Sequence, residues 1–460
     1  MVKNLNPFRI ILAVLITFIP LYPKFPLFNV ESTYVAIRLD DIVMATCVLI
    51  WLIFQIKNKF PIFKEKITPL FIAYFIAVLV STLNAVLIFK TTNNQLLLLN
   101  AFRRFEYMSV FFITLEAVKK RRDFLYIYLF FIFTMLGVAA YGYGQKYFHF
   151  PVVSTMNEEF SKGQLLQMNI WTRISSTFAG HYDLAAYLSI TLVITLALFI
   201  VIKNKWLKVS SLIVFLTGFH LLTLTASRIS IFAFWGSVVL SLILLRKYLW
   251  IIPVSLLVVF SIFNSNDLKQ RLIATIPSFK SVVRPSQVPS PPTPTLVPIS
   301  TPATISQKPI QISPTVFRHP PVDDFIPVDS DVGVARSGEI RFNVEWPRAI
   351  TAFRKNPITG TGLGSITMAT DNDYLRFLGE SGLFGFITFT IIFIYFLLRT
   401  WPLLKLKKIN FYHQLSLIFF SAMVCVWANA VFIDVFEASK VAYTIWIIMG
   451  LYYKNLEIKS

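Results

Sequence analysis

Residues 336–386 read RSGEIRFNVEWPRAITAFRKNPITGTGLGSITMATDNDYLRFLGESGLFGF and lie between a long polar, proline-rich segment and a strongly apolar run. A stretch so placed is where a water-facing loop re-enters a membrane. It carries Arg341, Trp346 and Arg348, then the small-residue turn Pro357-Ile358-Thr359-Gly360-Thr361-Gly362-Leu363-Gly364. Asp371, Asn372 and Asp373 follow, and Glu380 and Gly382 close it. Most of the remaining chain is plain apolar helix, so the polar chemistry concentrates here.

Outside this stretch, composition sets the solvent. Of 460 residues, 56% are hydrophobic, 16% aromatic and 14% charged, with a mean hydropathy of +0.66. Soluble domains carry about 25% charged residues, so this is the composition of a polytopic membrane protein. The net charge of +20 would suit nucleic acid in a soluble chain. Here the basic residues form short clusters between apolar runs, the positive-inside distribution, and no nucleic-acid partner is expected. Cys47 and Cys425 fall inside apolar runs and read as small buried residues, too few for a metal or redox framework. The first apolar run, flanked by Lys3 and Arg9, has the form of a signal peptide. Tyr22-Pro23-Lys24-Phe25-Pro26 offers no small-residue cleavage site, so a retained helix is expected.

Apolar runs of about 17–25 residues predict an all-α fold of about twelve transmembrane helices. They lie near residues 8–22, 40–56, 67–89, 98–118, 124–144, 179–202, 207–226, 229–246, 249–263, 374–398, 410–431 and 439–453. Basic clusters fall at Lys57–Lys66, Lys119–Arg122, Lys203–Lys208, Arg246–Lys247 and Lys405–Lys408, always on even-numbered connections. That side, shared by both termini, is read as cytoplasmic. The chain thus divides into helices 1–9 (1–263), one long outer loop (264–373) and helices 10–12 (374–460). Within the loop, residues 284–321 are rich in Pro, Ser and Thr and predict a polyproline-like, disordered tether.

Charges at the mouth of the membrane are the candidate functional groups, because a guanidinium near mid-bilayer costs about 2.5–3.5 kcal/mol on the lenient insertion scale. Arg228, in TLTASRISIFAF, has apolar runs on both sides; it reads as a functional arginine or as one snorkelling from a helix end. Arg103, Arg104 and Glu106 form a bracing pair or a ligand site. Arg173, His181 and Asp183 lie where an outer loop enters the sixth helix. Asp371-Asn372-Asp373 has the D-x-D spacing of some metal-holding sugar-nucleotide enzymes, but Asp329-Ser330-Asp331 matches it equally, and a helix N-cap explains it as well. Arg341, Arg348 and Arg228 are the stronger signal, since guanidiniums grip a diphosphate in bidentate fashion. A solvated loop helix is the plainer reading of Arg341 and Arg348.

TFAGHYDLAAYL entering a helix, TASRIS at a tight turn, and the run of arginine, tryptophan, P-x-x-G-x-G-x-G, Tyr-Leu and E-x-G together resemble the O-antigen ligase and polymerase family, the WaaL/Wzy superfamily, over roughly residues 170–390. The resemblance implies a GT-C-like membrane glycosyltransferase of the plasma (inner) membrane, with its active site on the outer face and no metal or other cofactor. The donor it implies is a polyprenyl diphosphate-linked glycan and the acceptor a hydroxyl of a glycan or lipid-linked glycan, with room for a chain-length regulator as partner. The family's functional arginines carry over as Arg228 and Arg341, with Arg348 the rival for the second. Asp371 stands where ligases of the family usually have histidine, so a carboxylate takes the base's place and the reading tilts from ligase to polymerase. Asn372, Asp373, His181 and Arg173 are the expected substrate-binding residues. An O-antigen ligase or protein O-oligosaccharyltransferase is the related alternative. A lipid-linked glycan flippase is the alternative of another class; it would spread charges through both leaflets rather than gather them at one mouth.

Overall fold

The computed structural model describes residues 6–29, 36–89, 94–153, 165–166, 173–265, 268–270, 272, 340–366 and 369–458. The expected tether at 284–321 and the Asp329–Asp331 pair lie outside the described residues. Helices dominate: α1 (Pro7–Leu21), α2 (Leu39–Lys57), α3 (Thr68–Asn84), α4 (Asn94–Ala117), α5 (Arg121–Phe148), α6 (His181–Val201), α7 (Lys205–Leu224), α8 (Arg228–Leu244) and α9 (Ile251–Asn264). Then come a short helix α10 (Trp346–Lys355) and the long α11 (Asp373–Leu404), α12 (Phe411–Asn429) and α13 (Ser439–Glu457). The described strands form two small antiparallel ribbons, Pro26–Asn29 with Ala36–Arg38 and Val152–Val153 with Leu165–Leu166.

Among the described residues a helix stands on each apolar run read from the sequence. Seven are long and apolar enough to cross a membrane, and three shorter ones (Pro7–Leu21, Arg228–Leu244 and Tyr248–Asn264) are also apolar. The protein is therefore an all-α, multi-pass membrane protein. Its helices carry outward-facing apolar side chains such as Leu79, Phe133, Leu256 and Leu398, which only a lipid environment tolerates at this density. All these elements belong to one unit, residues 1–269 with 339–460.

α6 is the hub. Buried along 78% of its apolar window, it packs against α7, α8 and α12, while α4 packs on α13, α3 on α11, and α1 on α5. Beneath α11 lies an aromatic cluster in which Phe377 meets Phe389 at 4.3 Å and Phe393 meets Trp427 at 4.6 Å between ring centroids. Rings with offset or edge-on geometry lock such a junction without polar cost.

The glycine-rich turn explains why α11 is not straight. Gly382 has φ 65° and ψ −171° inside that helix, so the helix breaks there and leaves amides and carbonyls without helical partners. The turn supplies them: Thr361 N donates to Gly379 O at 3.0 Å and Gly362 N to Glu380 O at 2.9 Å, while Leu383 N and Phe384 N donate to Pro357 O and Ile358 O at 2.8 and 3.0 Å. From α3, Ser81 Oγ donates to Glu380 O at 2.7 Å and Asn84 Nδ2 to Thr359 Oγ1 at 2.6 Å. A Cβ on Gly360 would lie 2.3 Å from Glu380 O, and one on Gly382 would lie 2.4 Å from Ile358 O. Backbone meets backbone, so no side chain fits at either place.

Candidate active site

The candidate residues converge at one end of α6, α8 and α11, where all three helices begin. Residues 341–345 form a single π-helical turn ahead of α10, the kind of irregularity that re-aims a side chain. It turns Arg341 inward to 7% exposure, and its Nε and Nη2 both donate to Asp371 Oδ2, at 2.9 and 2.7 Å. Arg341, rather than Arg348, therefore makes the pair with Asp371. The Arg341 guanidinium also lies 5.6 Å from the Tyr182 ring centroid.

Tyr182, the second residue of α6, is the meeting point. The Arg173 guanidinium also lies against its ring, 6.0 Å from the centroid, and Arg228 interacts electrostatically with Tyr182, Arg341 and Arg173. Arg173 Nη1 lies 2.6 Å from His181 Nε2. A guanidinium can only donate, so a hydrogen bond across this contact has Nε2 as its acceptor. Arg228 is the first residue of α8 and His181 the first of α6, so two positive helix ends add to the charge of three guanidiniums. Like charges gathered in a half-buried place repel one another, and an anionic ligand is what such a group accommodates.

Asp371 is held in an uncommon backbone conformation, φ 48°, which costs a non-glycine residue on the order of 1 kcal/mol. Asp434, between α12 and α13, enforces it. Its carboxylate accepts from Thr370 N at 2.9 Å and Asn372 N at 3.1 Å, on either side of Asp371, and from Arg376 Nη1 at 3.0 Å. Asn372 caps α11 by accepting from Leu375 N at 3.0 Å, and Asp373 Oδ2 accepts from Val435 N at 2.7 Å. The two aspartates of the D-x-D thus face different partners, Asp371 toward Arg341 and Asp373 into the α12–α13 connection. Asn372 and Asp373 act as braces in this geometry.

Burial pushes the Asp371 carboxyl above its ordinary range; Arg341 opposes that and the Asp434 charge adds to it. Burial likewise pushes Glu345 up to about 7, with Asp371 reinforcing the shift and Arg341 opposing it. For Arg341, burial works against the charge, but Asp371 and Tyr182 more than restore it and raise its pKa. Arg348 shares this neighbourhood through Glu345, and among the described residues its Nη1 is buried without a hydrogen-bond partner.

Sequence reasoning missed Tyr182, Asp434 and the ionic layer beneath them. Of the group Arg103, Arg104 and Glu106, Glu106 interacts electrostatically with Arg103, while Arg104 pairs with Glu437 and donates to Phe436 O at 3.1 Å. Arg376 joins the same layer, with Nε 3.3 Å from Glu380 Oε1 and 3.6 Å from Glu437 Oε1. Two acids in the short polar connection Phe432–Ala438 were the available signal.

The protein is thus a multi-pass membrane protein with guanidiniums gathered where helices begin, one of them paired to a strained aspartate. Comparison with known families adds one finding: the O-antigen ligase family model matches residues 213–390. That match supports membership of the O-antigen ligase/polymerase family, and it spans Arg228, Arg341, Arg348 and Asp371. No curated protein matches the chain. Glycosyltransferase-like work on lipid-linked glycans in a membrane is what the family suggests.

Proposed function

We propose that the protein transfers a glycan from a polyprenyl diphosphate donor to a hydroxyl of an acceptor glycan, extending a surface polysaccharide. The observation that carries this reading is the convergence of Arg173, Arg228 and Arg341 on Tyr182, with Asp371 gripped by Arg341. The acceptor oxygen attacks the anomeric carbon and forms the new glycosidic bond, and the anomeric carbon–oxygen bond to the diphosphate breaks. The electron pair leaves with the polyprenyl diphosphate, whose growing negative charge the guanidiniums meet. Preorganised donors in a water-poor site are usually the largest catalytic contribution, and fixed cations here fill the place that a metal ion fills elsewhere. Asp371 receives the acceptor proton as a general base, a role that its raised pKa suits.

In this reading all twelve apolar helices cross the plasma membrane, with both termini and the lysine-rich connections cytoplasmic and the arginine cluster outside. The ligase reading has one specific support, the description of the matching family; Asp371-Asn372 in place of a His-Asn pair favours polymerase.

The test is purified protein with a polyprenyl diphosphate-linked oligosaccharide in the presence of a chelator. A ladder of longer lipid-linked products is the expected outcome. Transfer only when a non-polymer acceptor is added assigns a ligase. Loss of all activity with the chelator, restored by magnesium, overturns the guanidinium reading, and unchanged donor with both acceptor types overturns transfer altogether.

A further inference from the structure

A cavity opens at the end of the bundle opposite the candidate active site. It has a volume of about 420 Å³ and is enclosed by α5, α6, α7, α12 and α13, within the range of about 300–1,000 Å³ typical of ligand sites. At its mouth stand Arg121, Arg122 and Lys203, and its interior is made of side chains such as Met135, Leu198, Val214 and Phe419. α6 runs from His181 at the arginine cluster to Val201 beside this mouth, and α7 from Lys205 at the mouth to Leu224 near Arg228. The mouth of the cavity is therefore one helix length, roughly 30 Å, from the candidate active site.

We infer that this cavity is a binding site for an anionic phospholipid of the adjoining leaflet, with an acyl chain in the slot and the phosphate at Arg122 and Lys203. Three observations carry it. The cavity wall follows α5 from Arg121 to Met135, roughly 21 Å of helix, enough to hold a chain through one leaflet's half of a core about 30 Å thick. Three basic residues line the mouth and no acidic residue lines the cavity among the described residues. The nearest acid on α5, Asp123, is taken up by Arg9 at 2.8 Å and by the amides of Lys119 and Lys120 at 2.9 and 2.8 Å. Arg121 is fixed over the Tyr412 ring, 3.9 Å from its centroid, which leaves the exposed Arg122 and Lys203 to meet a headgroup. The interior is apolar, and its Tyr128 hydroxyl is satisfied by Ser211 Oγ at 2.6 Å, so nothing inside asks for a polar guest. The inference stands apart from the proposed transfer reaction.

Native mass spectrometry of the detergent-purified full chain tests it, with phosphatidylglycerol and phosphatidylcholine of equal chain length as probes. Phosphatidylglycerol is expected to bind more tightly, and Arg122→Gln and Lys203→Gln each to reduce that preference by about fivefold. Leu198→Trp is expected to reduce binding of both lipids; if it does not fold, the exposed charge variants carry the test. Equal binding of the two lipids overturns the inference, as does a preference that survives the double charge variant. Displacement of phosphatidylglycerol by an equimolar polyprenyl phosphate assigns the cavity to a carrier lipid and overturns the phospholipid. Because no glycan transfer is measured, failure here leaves the proposed reaction untouched.

Discussion

The two ends of the helical bundle are both rich in cations, and they use them oppositely. At the end where α6 and α8 begin, Arg341 is 7% exposed and bound to Asp371, while Arg173 is held against His181 and the Tyr182 ring. At the other end, Lys205, Lys407 and Lys408 are exposed. Exposed cations are hydrated and screened, and each contributes little to any one contact. Buried ones are costly to hold in place and persist where the surroundings fix them. Position in the fold separates the held arginines of the candidate site from the exposed lysines at the other end.

That comparison is open to attack, and the hardest blow falls on Asp371. Asp371→Asn removes the proposed base and is expected to cut transfer by about 10²–10⁴-fold, measured as product per minute with the lipid-linked donor. The pH profile sharpens the point. A base must be deprotonated to act, so the rate is full above the Asp371 pKa and falls as pH drops through it, on an acid limb above the ordinary aspartate value of about 3.9. If the limb instead sits near the value of about 7 given by Glu345 and disappears in Glu345→Gln, the base is Glu345.

Arg341→Lys and Arg228→Lys come next. Each keeps a charge but loses the two-pronged fork, and a loss of about 10²–10³-fold is expected, the scale of removing one donor from a developing anion. Full glycan assembly in cells carrying Arg228→Lys would take that residue out of the site. Gly382→Ala tests the scaffold rather than the chemistry. Its Cβ meets the Ile358 carbonyl, and a loss of about 1–3 kcal/mol is expected, seen as a lower melting temperature in detergent. The smallest effect belongs to the opposite end: Lys407→Gln with Lys408→Gln is expected to leave stability within about 0.5 kcal/mol and the transfer rate unchanged. A large loss of activity there would erase the contrast between the two ends.

Much of the fold was legible because lipid solvent demands long apolar runs, and α6, α7 and α12 lie close to where those runs are. Arg341 and Asp371 were legible as residue types in the right loop, though their pairing was not, since thirty residues and a π-helical turn separate them. Tyr182 was hidden because a tyrosine after His181 reads as an ordinary interfacial aromatic, and only the packing of α6 against its neighbours gives it two arginines. Asp434 was hidden for a related reason: its work is done on backbone amides of a segment sixty residues away, and no side-chain pattern advertises that. The glycine-rich turn invited a ligand-binding reading, whereas its amides at Thr361 and Gly362 are spent on the α11 carbonyls.

The interlock of that turn with the broken helix has a consequence for how such a protein diversifies. Gly360 and Gly382 each press against the other's strand of backbone, so neither position can acquire a side chain while its counterpart stays. Variation that spares the fold is thereby expected away from this joint, or as a paired change at both glycines.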